Sequence, residues 1–221
     1  MKEYQKIDGL YLRLDGTKEL YPNAYRNPLV TYLSHNQWFF TEKIDGMNIR
    51  VVWDGHEVSF YGRTDKAQIP ANLFKRLTEL FGGEHNAQMF EQCFGEKTAI
   101  FYGEGYGAGI QKGGSYKQEQ DFILFDVEVD DLLLERHGVE QIASTFNLDV
   151  VPIVLRGEIK DAEKFVRSRP DSTIGTAKME GVVGMPSIPV YDRRGKRLMV
   201  KIKVRDYDEL DKQYGGKYDY L

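Results

Sequence analysis

Trp38-Phe39-Phe40-Thr41-Glu42-Lys43-Ile44-Asp45-Gly46-Met47-Asn48-Ile49-Arg50-Val51-Val52-Trp53 is the stretch on which the reading of this chain turns. Aromatic and β-branched runs on either side predict two strands, and the Lys-Ile-Asp-Gly between them is turn chemistry. A lysine at that junction is placed for chemistry as readily as for solvent. With an ordinary pKa of ~10.4, it becomes a nucleophile only where burial or neighbouring cations favour the neutral amine. Candidate cations lie far along the chain at Lys201-Ile202-Lys203, where alternation on a strand aims both ammonium groups at one face and suggests an anion site.

The remaining elements lie between these ends. Phe101-Tyr102-Gly103-Glu104-Gly105 and Met179-Glu180-Gly181-Val182-Val183 each set one glutamate beside a glycine, where backbone can approach a ligand closely. In this order and spacing, the Lys-Ile-Asp-Gly, Gly-Glu-Gly, Glu-Gly-Val-Val and Lys-Ile-Lys elements resemble the covalent nucleotidyltransferases: DNA ligases, RNA ligases and mRNA capping guanylyltransferases. Any one element is weak and the ordered set is strong. Within that superfamily, Glu42-Lys-Ile-Asp-Gly-Met-Asn-Ile-Arg50 resembles the small, phage-type ATP-dependent RNA ligases, because DNA ligases typically carry an arginine where this chain has Asn48. Gly62-Arg63-Thr64-Asp65, Gly103 to Ala108 and Phe125-Asp126-Val127 are similar to the same group, and the resemblance covers nearly the whole chain.

The resemblance implies a role for each matching residue. Lys43 attacks the α-phosphorus of ATP. Asp45 orients the amine or a metal-bound water, and Gly46 permits the turn. Glu42 meets the adenine edge, and Asn48 acts near the phosphate during sealing. Arg63 and Glu104 hold ribose or phosphate, Phe125 stacks on adenine, and Glu180 helps hold Mg²⁺ or Mn²⁺. Lys201 and Lys203 contact the α-phosphate and depress the pKa of Lys43. Each residue also has a plainer reading: turn chemistry for Asp45 and Asn48, a surface ion pair for Arg63, a loop acid at Glu104, core packing for Phe125, outward strand lysines at 201 and 203. The implied partners are RNA ends bearing a 5′-phosphate and a 3′-hydroxyl, with ATP as cosubstrate and RNA repair as the setting.

The same four letters, Lys6-Ile7-Asp8-Gly9, occur near the start. Spelling does not separate the copies, but context does. The second copy precedes the arginine, glutamate and lysine elements in the family order, whereas the first runs into Leu10 to Gly16, which reads as a short strand and turn.

With 221 residues, 41% hydrophobic and 29% charged, the chain can bury a core without a second domain. No long apolar run and no signal-peptide core are present, so the expected setting is cytoplasmic, the host cytoplasm for a phage-encoded chain. One cysteine, Cys93, excludes an internal disulfide, and no Cys/His ligand spacing supports zinc. The net charge of −4 gives no bulk attraction for nucleic acid, yet Arg193 to Arg205 holds seven basic residues and no acid, a local phosphate-facing run or a solvated hairpin around Arg194-Gly195. The glycine-dense run 103–116 lacks the strand-to-helix setting of a dinucleotide fold and reads as a mobile loop beside substrate.

Periodicity predicts strands at 37–42, 48–53, 57–61, 98–103, 121–129, 150–155, 180–185 and 197–204. Helices are predicted at 71–81, 86–94, 138–147 and 160–168, the last as an insertion on the sheet's outer face. In the first helix Leu73, Phe74, Leu77, Leu80 and Phe81 form one core stripe. The fold class is therefore α+β, mostly antiparallel sheets with flanking helices; the resemblance makes it a nucleotidyltransferase, or ATP-grasp-like ligase adenylation, domain. One such domain is expected over 1–221, with 1–36 as an N-terminal extension packed on it and no OB or C-terminal accessory domain. A partner protein supplying RNA affinity is one consequence of that expectation. Alternatives are a DNA ligase or capping guanylyltransferase core, or a non-catalytic RNA-end binding module.

Overall fold

A computed structural model describes residues 3–13, 16–17, 19–111 and 113–216. Residues 14 and 15 of the expected first turn, and the last five residues of the tail, lie outside them. Internal contacts divide the chain into two compact units, a terminal unit made from Gln5–Ile44 and the residues from Pro152 onward, and a central unit made from Asp45–Val151 with residues 3 and 4.

The chain begins in the terminal unit with β1 (Asp8–Gly9), β2 (Tyr11–Arg13), β3 (Leu20–Tyr25), helix α1 (Pro28–Tyr32) and β4 (Trp38–Glu42). Asn27 caps α1 by accepting from the Leu29 N–H at 2.9 Å, and Pro28 occupies the first turn, where a missing N–H costs nothing. The central unit follows as β5 (Met47–Trp53), β6 (Val58–Tyr61), α2 (Ala71–Phe81), α3 (Glu84–Phe94), β7 (Ala99–Tyr106), β8 (Asp121–Val129), β9 (Leu132–Leu133) and α4 (Arg136–Thr145). The terminal unit then resumes with β10 (Ile153–Gly157), α5 (Ile159–Arg167), β11 (Gly181–Pro186), β12 (Val200–Lys203) and α6 (Val204–Tyr214).

The terminal unit's main sheet runs β1-β12-β11-β4-β10, antiparallel throughout except for the parallel pair β1–β12. All of β4 is buried, as its continuous aromatic run requires of a strand covered on both faces. The 160–168 helix is not an insertion on an outer face. Ile159, Ala162 and Val166 of α5 are fully buried in one cluster with Trp38, Phe40, Val182 and Ile202, because their i, i+3, i+7 spacing makes one apolar stripe. The described residues between 5 and 36 are likewise structural members of this unit: β1 is an edge strand of the sheet, and Leu10, Tyr11 and Leu20 join its core.

The central unit's sheet runs β6-β5-β7-β8-β9, all antiparallel. The expected hairpin at Asp54-Gly55 forms: Asp54 Oδ1 accepts the N–H groups of His56 and Glu57 at 2.9 Å, and Gly55 takes φ +99°, a conformation natural to glycine. On α2, Leu73, Leu77 and Phe81 are fully buried, but Phe74 departs from the predicted stripe and stays half exposed with its ring edge against Phe60. Residues 107–111 and 113–117 are tied by their own turns, with Ala108 donating to Lys117, Ile110 to Gly107 and Tyr116 to Gly113.

Candidate active site

Three neighbouring strands of the terminal unit deliver the charged groups. Register aligns Glu42 with Val182 and Lys203 with Gly181, and the Lys43 N–H donates to the Gly181 carbonyl at 2.9 Å. The residue before Gly181 is therefore placed between the two lysines. Glu180 accepts from Lys43 Nζ through Oε2 at 2.5 Å and from Lys203 Nζ through Oε1 at 2.9 Å. Its carbonyl takes the N–H of Val204 at 2.9 Å, which fixes it against the start of α6.

Burial alone would raise the Glu180 carboxyl, but the Lys43 and Lys203 ammonium groups outweigh it and hold the group below the usual carboxylate range. Lys201 is pushed down, first by burial and then by repulsion from Lys203, Lys43 and Arg205. Cationic crowding expected around the nucleophile is thus expressed at Lys201, while Lys43 itself faces a carboxylate. Among the described residues no group of three or more His, Cys, Asp or Glu side chains is arranged to hold a metal. Glu180 supplies one carboxylate, which suits a Mg²⁺ ion completed by phosphate oxygens and waters, provided that its lysine partners are exchanged.

Glu42 is buried, and both of its oxygens are engaged: Oε1 accepts from Ser172 Oγ at 2.5 Å, and Oε2 from the Thr173 N–H at 2.9 Å and hydroxyl at 2.5 Å. The sequence reading did not single out Ser172 or Thr173. With both oxygens engaged, an adenine amino group would have to use a remaining lone pair or displace a Ser172 or Thr173 donor.

The central unit carries the other predicted residues. The Asp45 N–H points at the Tyr116 hydroxyl, 3.4 Å away. Gly46 is required for close approach rather than for a left-handed turn, since a Cβ there would lie 2.3 Å from the Gly105 carbonyl oxygen. Asn48 and Glu104 are direct cross-strand partners on β5 and β7, and Asn48 Oδ1 is buried with no hydrogen-bond partner among the described residues. Arg63 is exposed. The loop bearing it is clamped by Arg50, a fully buried guanidinium that donates from Nε to the Gly62 carbonyl at 2.9 Å and from Nη2 to Asp65 Oδ1 at 2.7 Å. Arg50 belonged to the quoted motif, yet its role was missed because an arginine on an apolar strand carries no mark of its partner. Phe125 is partly buried, its ring 5.0 Å from Tyr4 in an edge contact within the Val52, Ile100, Tyr102 cluster.

Thus the terminal unit brings Lys43, Glu180, Lys201 and Lys203 together and holds Glu42 on Ser172 and Thr173, and Asp45, Asn48, Arg63, Glu104 and Phe125 belong to the central unit. A family model described as RNA ligase matches residues 36–203.

The chain belongs to the RNA ligase family.

Solved structures of Naegleria gruberi RNA ligase share the fold. An apo variant superposes with a TM-score of 0.64 at 18% identity, over 84% of this chain and 54% of that one. The ligase with PPi gives 0.61 at 21% identity, over 84% and 55%, and a variant with ATP and Mn gives 0.62 at 19%, over 84% and 54%. The chain therefore spans about half the length of the solved ligases that it matches. At these identities the likeness establishes the fold alone, α+β with antiparallel sheets. No helix among the described residues is long and apolar enough to cross a membrane.

Proposed function

We infer that this family member is an ATP-dependent RNA ligase that works through a covalent lysyl-AMP on Lys43. The observation that carries the reading is the Lys43–Glu180–Lys203 cluster, in which a lysine, an acid and further cations converge at the ends of three strands. The neutral amine of Lys43 forms a P–N bond to the α-phosphorus of ATP while the bond to pyrophosphate breaks. Lys201 and Lys203 offset charge on the α-phosphate oxygens. A 5′-phosphate oxygen of RNA then takes the AMP and restores the amine, and a 3′-hydroxyl attacks that 5′-phosphorus, releasing AMP.

The related ligases solved with ATP and Mn support the same nucleotide and a divalent ion here. Glu180 is the residue that would hold the ion, which supplies charge neutralisation at the phosphates. Glu42 would favour ATP over GTP by accepting from the 6-amino group of adenine, where guanine carries a carbonyl oxygen. The roles of Asp45, Asn48, Arg63, Glu104 and Phe125 rest on their motifs. A cytoplasmic setting and one adenylation domain belong to the same proposal.

Sealing of a 5′-labelled RNA with ATP and Mg²⁺, read as phosphatase-resistant label, tests the reading. RNA ends joined in preference to DNA ends are expected, with loss in Glu180→Gln. Sealing of DNA alone, or labelling by GTP alone, would move the chain to one of its neighbouring activities.

A further inference from the structure

The first Lys-Ile-Asp-Gly copy is left unused by the ligase reading, and its position gives it a role. β1 lies parallel to β12, with Asp8 beside Val200 and Gly9 beside Lys201, and the Leu10 N–H donates to the Lys201 carbonyl at 3.0 Å. A cavity of about 200 Å³ opens along this edge, lined by residues of the terminal unit alone. Its cations are Lys6, Arg13, Arg26, Lys201, Lys203 and Arg205; Asp8 and Asp206 are the lining carboxylates, and Glu180 and Glu209 pair with Lys203 and Arg13 from outside the lining. Asp206 is held by the Lys203 N–H at 3.2 Å and by Arg13 at 3.6 Å, and Lys201 is pushed down by burial and by the cations around it. The first residues of α6 also line the cavity, so the positive end of an 11-residue helix adds to the field.

The volume falls below the ~300–1,000 Å³ typical of pockets for whole organic ligands, so the space suits phosphate groups rather than a nucleoside. Lys203, bound to Glu180, is shared between this cavity and the Lys43 cluster, so an oxyanion held here adjoins the reacting amine.

We propose that Lys6, Arg13, Arg26 and Arg205, with Lys201 and Lys203, form a second oxyanion subsite that takes a phosphate group of the ligase's substrates, and that the 6–9 copy is a wall of this subsite rather than a second nucleophile. The substrate assignment rests on the ligase reading. Two sources share the chemistry, the pyrophosphoryl end of ATP and a phosphate of an RNA end. Arg13 and Arg26 are held in place by acids, Arg13 by Glu209 at 2.9 Å and Arg26 by Asp8 at 3.6 Å, as a preorganised site requires.

The test is calorimetric titration of the full chain with inorganic pyrophosphate and, separately, with a 5′-phosphorylated RNA oligonucleotide, for the native protein, Lys6→Gln/Arg26→Gln, and Gly9→Glu. The last variant places a carboxylate in the cavity without a clash, since a Cβ at Gly9 meets nothing within 4 Å. Loss of charge-assisted contacts predicts that both variants weaken the bound probe by about tenfold or more. Weakening of pyrophosphate assigns the subsite to ATP, and weakening of the RNA assigns it to the polynucleotide; either supports the proposal. Native-like binding of both probes by both variants, or no binding of either probe by the native chain, overturns it. Because no covalent step is read, the two readings fail separately: a native chain that binds pyrophosphate but takes no label from α-labelled ATP would sink the ligase reading and leave the subsite standing.

Discussion

Replacing Glu180 by Gln keeps its shape and removes its charge, leaving two ammonium groups, Lys43 and Lys203, with one neutral carbonyl oxygen to share. The Glu180 side chain is 20% exposed, so screening is partial. Losing one charge-assisted bond and the compensating charge between the lysines costs about 3 kcal/mol. At 2–4 °C per kcal/mol for a chain of this size, the unfolding midpoint at pH 7 falls by roughly 6–12 °C. The pH dependence follows from the sign of the shift. Glu180 titrates below its ordinary value in the folded chain, so its contribution is complete above the unfolded pKa of ~4.3 and is lost as pH falls through the folded pKa. Differential scanning calorimetry of native and Glu180→Gln chains from pH 7 down to pH 3 reads both effects. Equal midpoints at pH 7, or a gap that survives unchanged at the acid end, would refute the reasoning.

Other positions give independent tests. Arg50→Lys cannot reproduce the bonds to both the Gly62 carbonyl and Asp65, so local opening of that loop rises and trypsin cleavage after Arg63 accelerates by about tenfold; an unchanged cleavage rate would remove the clamp from the account. Buried Glu163 accepts from the Tyr11 and Tyr25 hydroxyls at 2.6 and 3.0 Å, and burial holds its pKa above the ordinary value. Its ionisation therefore costs stability as pH rises through ~4.3, and the native midpoint should fall relative to Glu163→Gln between pH 4 and pH 7, measured by thermal unfolding. Gly46→Ala drives a methyl into the Gly105 carbonyl, which should cost about 1–3 kcal/mol in urea unfolding and abolish adenylation with it; a fully active, native-like variant would contradict the close-approach argument.

Much of this architecture could be read from residue order. Alternation at 48–53 and 57–61 around Asp54-Gly55 gave a hairpin because turn chemistry and pattern agree locally, and Lys43, Glu180, Lys201 and Lys203 meet because their motifs sit on adjacent strands or at their ends. Features set by distant partners were not legible. The Tyr11–Glu163 bond spans 152 residues, and nothing near Tyr11 announces an acid. Helix α6 is absent from the predicted helices, although Tyr207, Leu210 and Tyr214 are spaced as one helical stripe, Tyr207 and Leu210 are buried, and Gly215 takes the left-handed cap. The parallel pairing of Asp8–Gly9 with β12 depends on the sheet already being formed. For Glu42, sequence identified an acceptor, and the structure shows which donors hold it.

The central claim is that Lys43 carries the nucleotide. Incubation with α-labelled ATP and Mg²⁺, followed by denaturing electrophoresis, tests it on the native chain, Lys43→Ala and Lys6→Ala. The account predicts label on the native chain and on Lys6→Ala and none on Lys43→Ala; label that persists on Lys43→Ala and vanishes from Lys6→Ala would contradict it.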